Sequence, residues 1–243
     1  QEIIMKSQKI KFSLKALLFL FLSFSTLSLA QDEEDLESWN AVELEIKASK
    51  KLVFAVSEHL RYRNDISSLK NYFTQIKINY SLFKKLSLSG GVRYITKNDD
   101  VGNIQGNKYY FRYQFDALFD QKIIDNWRLS LRLRYQNKNQ LGLSEDEGDV
   151  AIEYSRFRAG LETRIKALKL NFKLFAELFN EHDGVDENNG FNRQRFTLKL
   201  NRKFKDIGTF GIFYAMQDDT SRALKNSKAI VGFKYTYKIN LTK

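Results

Sequence analysis

Hydrophobic and polar residues alternate without interruption along Trp127–Gln136, a run of ten positions. Because successive side chains of an extended strand point to opposite sides, this segment has an apolar face and a polar face. The apolar face consists of Trp127, Leu129, Leu131, Leu133 and Tyr135, and the polar face of Arg128, Ser130, Arg132, Arg134 and Gln136. About 9–11 tilted residues cross a bilayer as a β-strand, with aromatic rings at both interfaces. The segment therefore predicts one strand of a transmembrane β-barrel whose five apolar residues face lipid or form the aromatic girdles.

Ten further segments of the chain show the same two-residue period. They are residues 39–48, 52–63, 71–81, 86–96, 108–119, 150–164, 169–180, 191–201, 208–216 and 229–240. We therefore predict an all-β chain, with a single antiparallel up-and-down transmembrane β-barrel over residues 39–243. Eleven segments are visible, but bacterial single-chain barrels have even numbers of strands. Roughly 10–12 strands are expected on this basis. Either one strand is missed, or one is not in the barrel wall, or the first and last strands pair in parallel; the expectation is ten or twelve.

The connections between the predicted strands alternate in length, about 3–7 residues and then about 7–13, as periplasmic turns and outer loops do in membrane barrels. A soluble periplasmic β-barrel that binds a ligand gives the same alternation with its apolar face turned inward, so it remains an alternative. The strand lengths, the rings at strand ends and the N-terminal segment favour the arrangement with lipid outside.

Residues 1–30 have the parts of a secretory signal peptide. Four lysines, at positions 6, 9, 11 and 15, form a basic segment that is expected to start at Met5, with residues 1–4 upstream of it. Residues 16–29 are rich in Leu and Phe, and Ser28-Leu29-Ala30 supplies the small residues of a cleavage site. The alternative is a transmembrane anchor, which needs about 18 apolar residues. Residues 16–29 span only fourteen positions. We expect a cleaved helical Sec-type signal peptide, an acidic lead-in over residues 31–38, and a protein of the cell outer membrane.

The net charge and its distribution limit the classes of partner molecule that are expected. Removing residues 1–30 takes away four of the 40 basic residues and one of the 29 acidic residues, which leaves a net charge of +8. The basic residues are dispersed through the strands of an exported protein, so no nucleic-acid partner is expected. The absence of cysteine excludes disulfides and thiolate metal sites. The expected partners are outer-membrane lipid and lipopolysaccharide. No cofactor is expected, and no sequence feature identifies a protein partner.

Several short motifs stand out within the strands. They are Trp39-Asn40-x-Val42-x-Leu44-Glu45, Lys51-Leu52 through Leu60-Arg61-Tyr62, Tyr72-Phe73-x-Gln75, Gly90-Gly91-Val92-Arg93-Tyr94, Gln194-Arg195-Phe196 and Val231-Gly232-Phe233-x-Tyr235. Together they resemble the domain-of-unknown-function 2490 family over most of the chain that follows residue 30. The resemblance implies an outer-membrane barrel of Gram-negative bacteria without an assigned activity, and it brings no catalytic residues.

Arginine is frequent on the polar faces of the predicted strands, together with several carboxylates. The charged residues expected to face the barrel interior are Arg93, Arg112, Arg128, Arg132, Arg134, Arg156, Arg158, Glu162, Glu177 and Arg195. A positively charged pore wall would favour anions. A barrel of this size is narrow, however, and its interior can instead be filled by ion pairs and hydrogen bonds. We expect a structural barrel or a narrow channel, and favour the filled interior.

The enzymatic alternative is an outer-membrane lipid hydrolase, which needs a histidine beside a nucleophile and an orienting acid or amide. The two histidines of the chain are His59, which shares a polar face with Ser57, and His182, in a predicted loop. Neither pattern suggests a triad, so no catalytic residue is expected. Two acidic sets offer oxygen atoms for Ca²⁺ but do not match an EF-hand loop, so no metal site is expected. They are Asp183, Asp186, Glu187 and Asn188, and Asp146 with Glu147.

Overall fold

The structure, a computed structural model, describes residues 35–99, 105–143, 151–182, 189–219 and 226–242. These residues form eleven β-strands. In chain order the strands are β1 Asp35–Lys47, β2 Leu52–Arg63, β3 Ser68–Ser81, β4 Leu86–Asp99, β5 Gly106–Ile124, β6 Trp127–Gln140, β7 Ile152–Ile165, β8 Leu170–Glu181, β9 Gly190–Phe204, β10 Gly208–Asp219 and β11 Asn226–Asn240. Each contains one of the predicted alternating segments, apart from one or two residues at some segment ends. The predicted signal peptide lies outside the described residues, and among those residues no helix has the length and apolar character needed to cross a membrane.

Connections of two kinds join the strands at opposite ends of the sheet. Residues 48–51, 82–85, 125–126, 166–169 and 205–207 form tight turns at what we call the short-turn end. The connections at the opposite, long-loop end run from six to eleven residues, except for 64–67, which has four. Asn64, Asp125 and Asp206 have positive φ values of 53°, 36° and 61°. Asn and Asp tolerate this left-handed conformation, which explains their places in tight connections.

The eleven strands close into a barrel in which each strand pairs with its neighbours in sequence, and β1 pairs with β11. Pairing is antiparallel throughout except for the closing pair, in which β1 and β11 run parallel from Asp35↔Lys228 to Lys47↔Asn240. The expectation of ten or twelve strands, all antiparallel, is therefore wrong. The reason is geometric: every connection reverses the chain, so with an odd number of strands the first and last point the same way. Closure then requires one parallel pair.

The first strand begins earlier than predicted. Asp35–Ser38 were assigned to an acidic lead-in, but they pair with residues 228–231 of β11 and belong to the barrel wall. Glu37 is 1% exposed and contacts Lys70 at 2.5 Å. An ion pair inside the barrel therefore accounts for part of the acidic run, which the sequence alone placed outside the wall.

The barrel wall separates two chemically different surfaces. Phe115, Leu133 and Ile212 on the outer face are 60%, 49% and 58% exposed, whereas the inward Phe73 and Ile230 are 1% and 0% exposed. The strands are strongly tilted relative to the barrel axis. When directly paired residues are followed from strand to strand, the row that starts at Ser87, beside a tight turn, ends at Asp35, at the long-loop end. Tilt of this kind is what closes a sheet into a barrel. The apolar residues are therefore displayed outside and the polar ones collected within.

The parallel closure can be tested by cross-linking, because the chain contains no cysteine. Val42 and Tyr235 are direct partners across β1 and β11, on the outer face. We expect Val42→Cys with Tyr235→Cys to form a disulfide under mild oxidation, since paired Cα atoms lie within the distance that a disulfide spans. Non-reducing electrophoresis of the unboiled and boiled protein measures the product. Val42→Cys with Ile212→Cys, on β10, is the control and should stay reduced. Equal cross-linking of both pairs, or of neither, would contradict the register.

Candidate functional site in the barrel interior

The barrel interior contains the charged residues that the polar faces predicted. Arg112, Arg134, Arg156 and Glu177 are buried, Arg93, Arg132, Arg158, Glu162 and Arg195 are half-buried, and Arg128 is exposed beside the turn 125–126. On the opposite side of β6, Trp127, Leu131 and Leu133 are exposed on the outer face, while Leu129 and Tyr135 are half-buried there. The alternation along β6 therefore divides its side chains between the two surfaces as the pattern predicted.

A stack of arginine side chains and aromatic rings crosses the interior, at residues nearer the long-loop ends of their strands than the short-turn ends. Arg61 Cζ lies 3.8 Å from the Trp39 ring centre and 4.9 Å from that of Phe73. Arg195 Cζ lies 4.8 Å from Trp39 and 5.0 Å from Phe179. Arg93 and Arg156 extend the stack, at 4.5 Å from Phe73 and 4.2 Å from Phe179. We call these seven residues the stacked layer. A guanidinium group over a ring face is attracted by the ring quadrupole, more strongly where water is excluded.

The stacked layer draws on seven strands and passes in front of β10 and β11. Trp39 on β1 meets Arg195 on β9, although two strands separate them in the wall. The inward residues of those two strands include Ala215 and Ile230, which are direct partners and are 1% and 0% exposed. Their burial is what a layer of side chains across the interior produces.

Two carboxylates anchor the arginines on the side of β5 to β8. Asp116 accepts two hydrogen bonds from Arg134, at 2.5 and 2.8 Å, and lies 3.4 Å from Lys77 Nζ. Glu177 contacts both Arg132 and Arg156, the latter at 2.9 Å. Paired forks of this kind are strong and directional. They fix the guanidinium planes and hold together strands that are not neighbours in the sheet.

Among the described residues, the interior side chains toward the long-loop end form a hydrogen-bonded network. Glu37 accepts from Trp39 Nε1 at 2.6 Å, pairs with Lys70 at 2.5 Å and lies 3.7 Å from Lys228. Lys228 also reaches Asp219 at 3.3 Å. Glu181, toward β7 and β9, accepts from the Tyr154 hydroxyl at 2.5 Å and from Asn192. These groups satisfy one another, as buried polar groups must.

The half toward the short-turn end contains a cavity of about 910 Å³, which we call the vestibule. Its inner end is formed by Trp39, Arg156 and Arg195 of the stacked layer together with Arg132 and Glu177. Its rim includes residues beside the tight turns at 125–126, 166–169 and 205–207. On the short-turn side of the stacked layer, the barrel interior therefore contains an open space.

Three members of the stacked layer, Trp39, Phe73 and Phe179, were not identified by sequence reasoning. Each occupies an inward position of its strand, as Phe73 does beside Gln75, and Phe179 between Glu177 and Glu181. The sequence did contain a signal for these residues, because each ring interrupts an otherwise polar face of its strand. From the sequence alone, an aromatic ring on a polar face is either a stacking partner for arginine or a chance exception. Only the closed barrel shows which rings and arginines are in contact.

Both histidines have a serine neighbour, but neither forms a triad. His59 Nε2 lies 3.0 Å from Ser57 Oγ, and its ring stacks on Phe73 at 4.3 Å inside the barrel. His182 follows β8 on the outer side, where Ser155 Oγ and Asn180 Nδ2 lie 3.2 and 3.3 Å from the same atom, Nε2. A triad places the nucleophile and the orienting group on different ring nitrogens. Among the described residues, no group occupies Nδ1 of His182 in that way.

In the described part of the chain, no group of three or more His, Asp and Glu side chains converges as a metal site requires. The acidic sets considered for Ca²⁺ lie outside the described residues: residues 146 and 147, and residues 183, 186, 187 and 188.

The fold and its charged interior define the protein as a closed β-barrel with an apolar exterior. The family described as "Protein of unknown function (DUF2490)" matches residues 36–228, and the chain belongs to that family, as its motifs suggested. A structure of the NanC porin is 13% identical, with a TM-score of 0.48 over 80% of this chain and 95% of that one. A structure from work on in-meso crystallisation of membrane proteins is 14% identical, with a TM-score of 0.35 over 79% and 77%. None of the curated proteins matches the chain.

Removing Asp116 should destabilise the barrel strongly, because it leaves Arg134 buried without its carboxylate. We expect Asp116→Ala to lower the free energy of unfolding by about 3–5 kcal/mol. Adding Arg134→Ala should cost less than the sum of the two single changes, since the pair is already broken. Denaturant unfolding of the refolded protein in lipid vesicles measures both.

The control for that experiment is Lys108→Ala, which breaks a more exposed pair with Asp99 at 2.7 Å. It should leave the unfolding midpoint close to that of the unmodified protein, because exposed ion pairs add little to stability. If Asp116→Ala and Lys108→Ala have similar effects, the interior ion pairs do not carry the stability assigned to them.

Proposed function

We propose that this protein is an outer-membrane β-barrel, held in lipid by its apolar outer face and closed by the stacked layer. It then serves as a structural or ligand-binding component of the membrane and not as an open diffusion pore. The observation that carries the proposal is the burial of inward side chains around the barrel: Glu37, Phe73, Gln114 and Ile230 are all below 3% exposed. Side chains that line a water-filled channel would be wetted instead.

The membrane location is supported by the outer surface. Large apolar side chains are exposed on every strand, from Val42 on β1 to Phe233 on β11. Soluble monomers rarely expose contiguous apolar patches larger than a few hundred Å². A closed barrel also leaves no unpaired strand edge, which is the condition for β-structure in a bilayer. The soluble periplasmic barrel is disfavoured on the same ground, because the apolar faces point outward.

The outer membrane and the orientation follow from the N-terminal sequence and the connections. A Sec-type signal peptide over residues 1–30 would export the chain, and outer-membrane barrels keep short turns in the periplasm and longer loops outside. The vestibule then opens toward the periplasm, and the hydrogen-bonded network toward the long-loop end faces the cell exterior. Outer-membrane lipid and lipopolysaccharide would surround the apolar face.

A non-enzymatic role is supported by the arrangement around the two histidines. His59 is enclosed in the barrel beside Ser57, out of reach of lipid, and His182 has both polar neighbours on one nitrogen. A lipid hydrolase needs a nucleophile hydrogen-bonded to a base, a group that orients the base, and hydrogen-bond donors for the oxyanion. Neither cluster supplies that set.

A charge placed on the outer face tests the membrane location. Leu131, the middle apolar residue of β6, is 41% exposed on that face. In lipid vesicles, we expect Leu131→Arg to lower the free energy of unfolding by about 2–4 kcal/mol, the cost of arginine at the bilayer midplane. Ile207→Arg is the control: Ile207 is 57% exposed but lies in a tight turn, outside the apolar band. It should change stability by about 0.5 kcal/mol or less. Equal effects, or a wild-type protein that fractionates as freely soluble, would reject the membrane location.

Conductance tests the closed interior. The refolded protein in planar bilayers should show no steady channels, because the stacked layer leaves no continuous water path. Trp39→Ala, Phe73→Ala and Phe179→Ala combined should introduce measurable current, since they remove the three rings of that layer.

The matched control removes one indole and two phenyl rings from the outer face, with Trp127→Ala, Phe115→Ala and Phe157→Ala. Heat-modifiable electrophoretic mobility confirms that each variant has folded. The control should remain non-conducting. Steady open channels in the unmodified protein would reject the closed interior.

A further inference from the structure

The vestibule carries far more positive than negative charge. Ten of its lining residues are Arg or Lys, and three are Asp or Glu. Glu177 contacts Arg132 and Arg156, Glu162 pairs with Lys173 at 2.8 Å, and Asp120 lies 3.9 Å from Arg128. All three carboxylates of the vestibule are therefore paired, and several of its Arg and Lys side chains are not paired with any of them.

Three of the remaining cations lie within the vestibule rather than at its rim. Arg158 on β7 and Arg195 and Lys199 on β9 are half-buried, and none has a carboxylate within 4.0 Å among the described residues. Arg158 and Arg195 flank Glu177 as direct partners across the sheet. Glu177 itself contacts Arg132 and Arg156, so four arginines are gathered around one carboxylate that pairs with two of them. Like charges held this closely repel one another unless an anion is added.

Arg158 has an unused donor in the part of the chain that the structure describes. Its Nε is buried and has no hydrogen-bond partner, and its guanidinium is held over the Phe175 ring at 4.4 Å. A buried donor without a partner is unfavourable and is rare in folded proteins. The side chain is therefore positioned by stacking on Phe175 and not by a hydrogen bond through Nε.

Two glycines keep the vestibule open by allowing rings to lie against the wall. A Cβ atom at Gly160 would lie 2.2 Å from Phe175 Cδ1, and one at Gly232 would lie 2.1 Å from Phe213 Cε1. Phe175 and Phe213 both line the vestibule. Any side chain at either glycine would push a ring toward the centre. The space of about 910 Å³ that results is within the range of small-molecule sites.

From these features we propose that the vestibule binds a small multivalent anion bearing phosphate or carboxylate groups, held by Arg158, Arg195 and Lys199 and entering from the short-turn end. Planar guanidinium groups match the geometry of both anion types, and Lys199 adds a mobile ammonium group. Lys199 also lines a smaller adjoining cavity of about 250 Å³. The proposal deepens the closed-barrel function above, because an interior that is blocked at the stacked layer holds a ligand instead of passing it.

Inorganic pyrophosphate is a suitable probe, and calorimetry of the refolded full barrel in uncharged detergent micelles at fixed ionic strength measures its binding. We expect saturable binding with one site per barrel. Arg158→Gln and Lys199→Gln should each raise the dissociation constant at least tenfold, because each removes a charged donor. Lys84→Gln is the matched control, since it removes the same charge from an exposed turn at the same end of the barrel. It should leave the dissociation constant within twofold.

Tryptophan fluorescence gives a second readout inside the vestibule. The chain has two tryptophans, and Trp39 lines the vestibule while Trp127 lies on the outer face. In a Trp127→Phe background, pyrophosphate should change Trp39 emission with the same midpoint as calorimetry. Absence of saturable binding, or equal weakening by Lys84→Gln, would overturn the proposal. A barrel that conducts yet binds pyrophosphate would reject only the closed interior, and a closed barrel that does not bind it would reject only the anion site.

Discussion

Closure of the hydrogen-bonded ladder is the constraint on which the rest of this structure depends. A sheet that closes on itself pairs every strand and leaves no edge, and its two-residue period then assigns each side chain to the inside or the outside. With eleven strands, the closing pair must be parallel, and β1 and β11 satisfy this over thirteen paired positions. The apolar exterior and the charged interior are therefore consequences of one geometric rule applied around the ring.

The interior shows how a narrow barrel accommodates many arginines. Guanidinium groups are planar, remain charged and are less strongly hydrated than ammonium groups, so they stack on rings as well as pair with carboxylates. Arg61 stacks between Trp39 and Phe73, while Arg134 forms a fork with Asp116. Both aromatic rings and carboxylates therefore compensate the positive charge of the guanidinium groups. This arrangement connects strands across the barrel interior without requiring one acid for every base.

The two halves of the interior differ in a way that bears on function. Toward the long-loop end, Glu37, Glu181 and Asp219 compensate the neighbouring cations. Toward the short-turn end, cations exceed acids, and Gly160 and Gly232 hold the rings of Phe175 and Phe213 against the wall. This difference in charge between the two ends is the observation behind the anion site proposed for the vestibule.

The sequence by itself determined the strands and their faces, because a period of two along one segment is a local property. Trp127–Gln136 shows both faces of β6 without any knowledge of its neighbours, and the arginines of other strands could be assigned to the polar face in the same way. It did not determine the strand count against the even-number expectation, the start of β1 at Asp35, or the roles of Trp39, Phe73 and Phe179. Those depend on which strands meet across the closed ring, and contacts between residues far apart in the chain leave no periodic signal in it. Only the tertiary structure decided that the stacked layer crosses the interior and that the vestibule lies on its short-turn side.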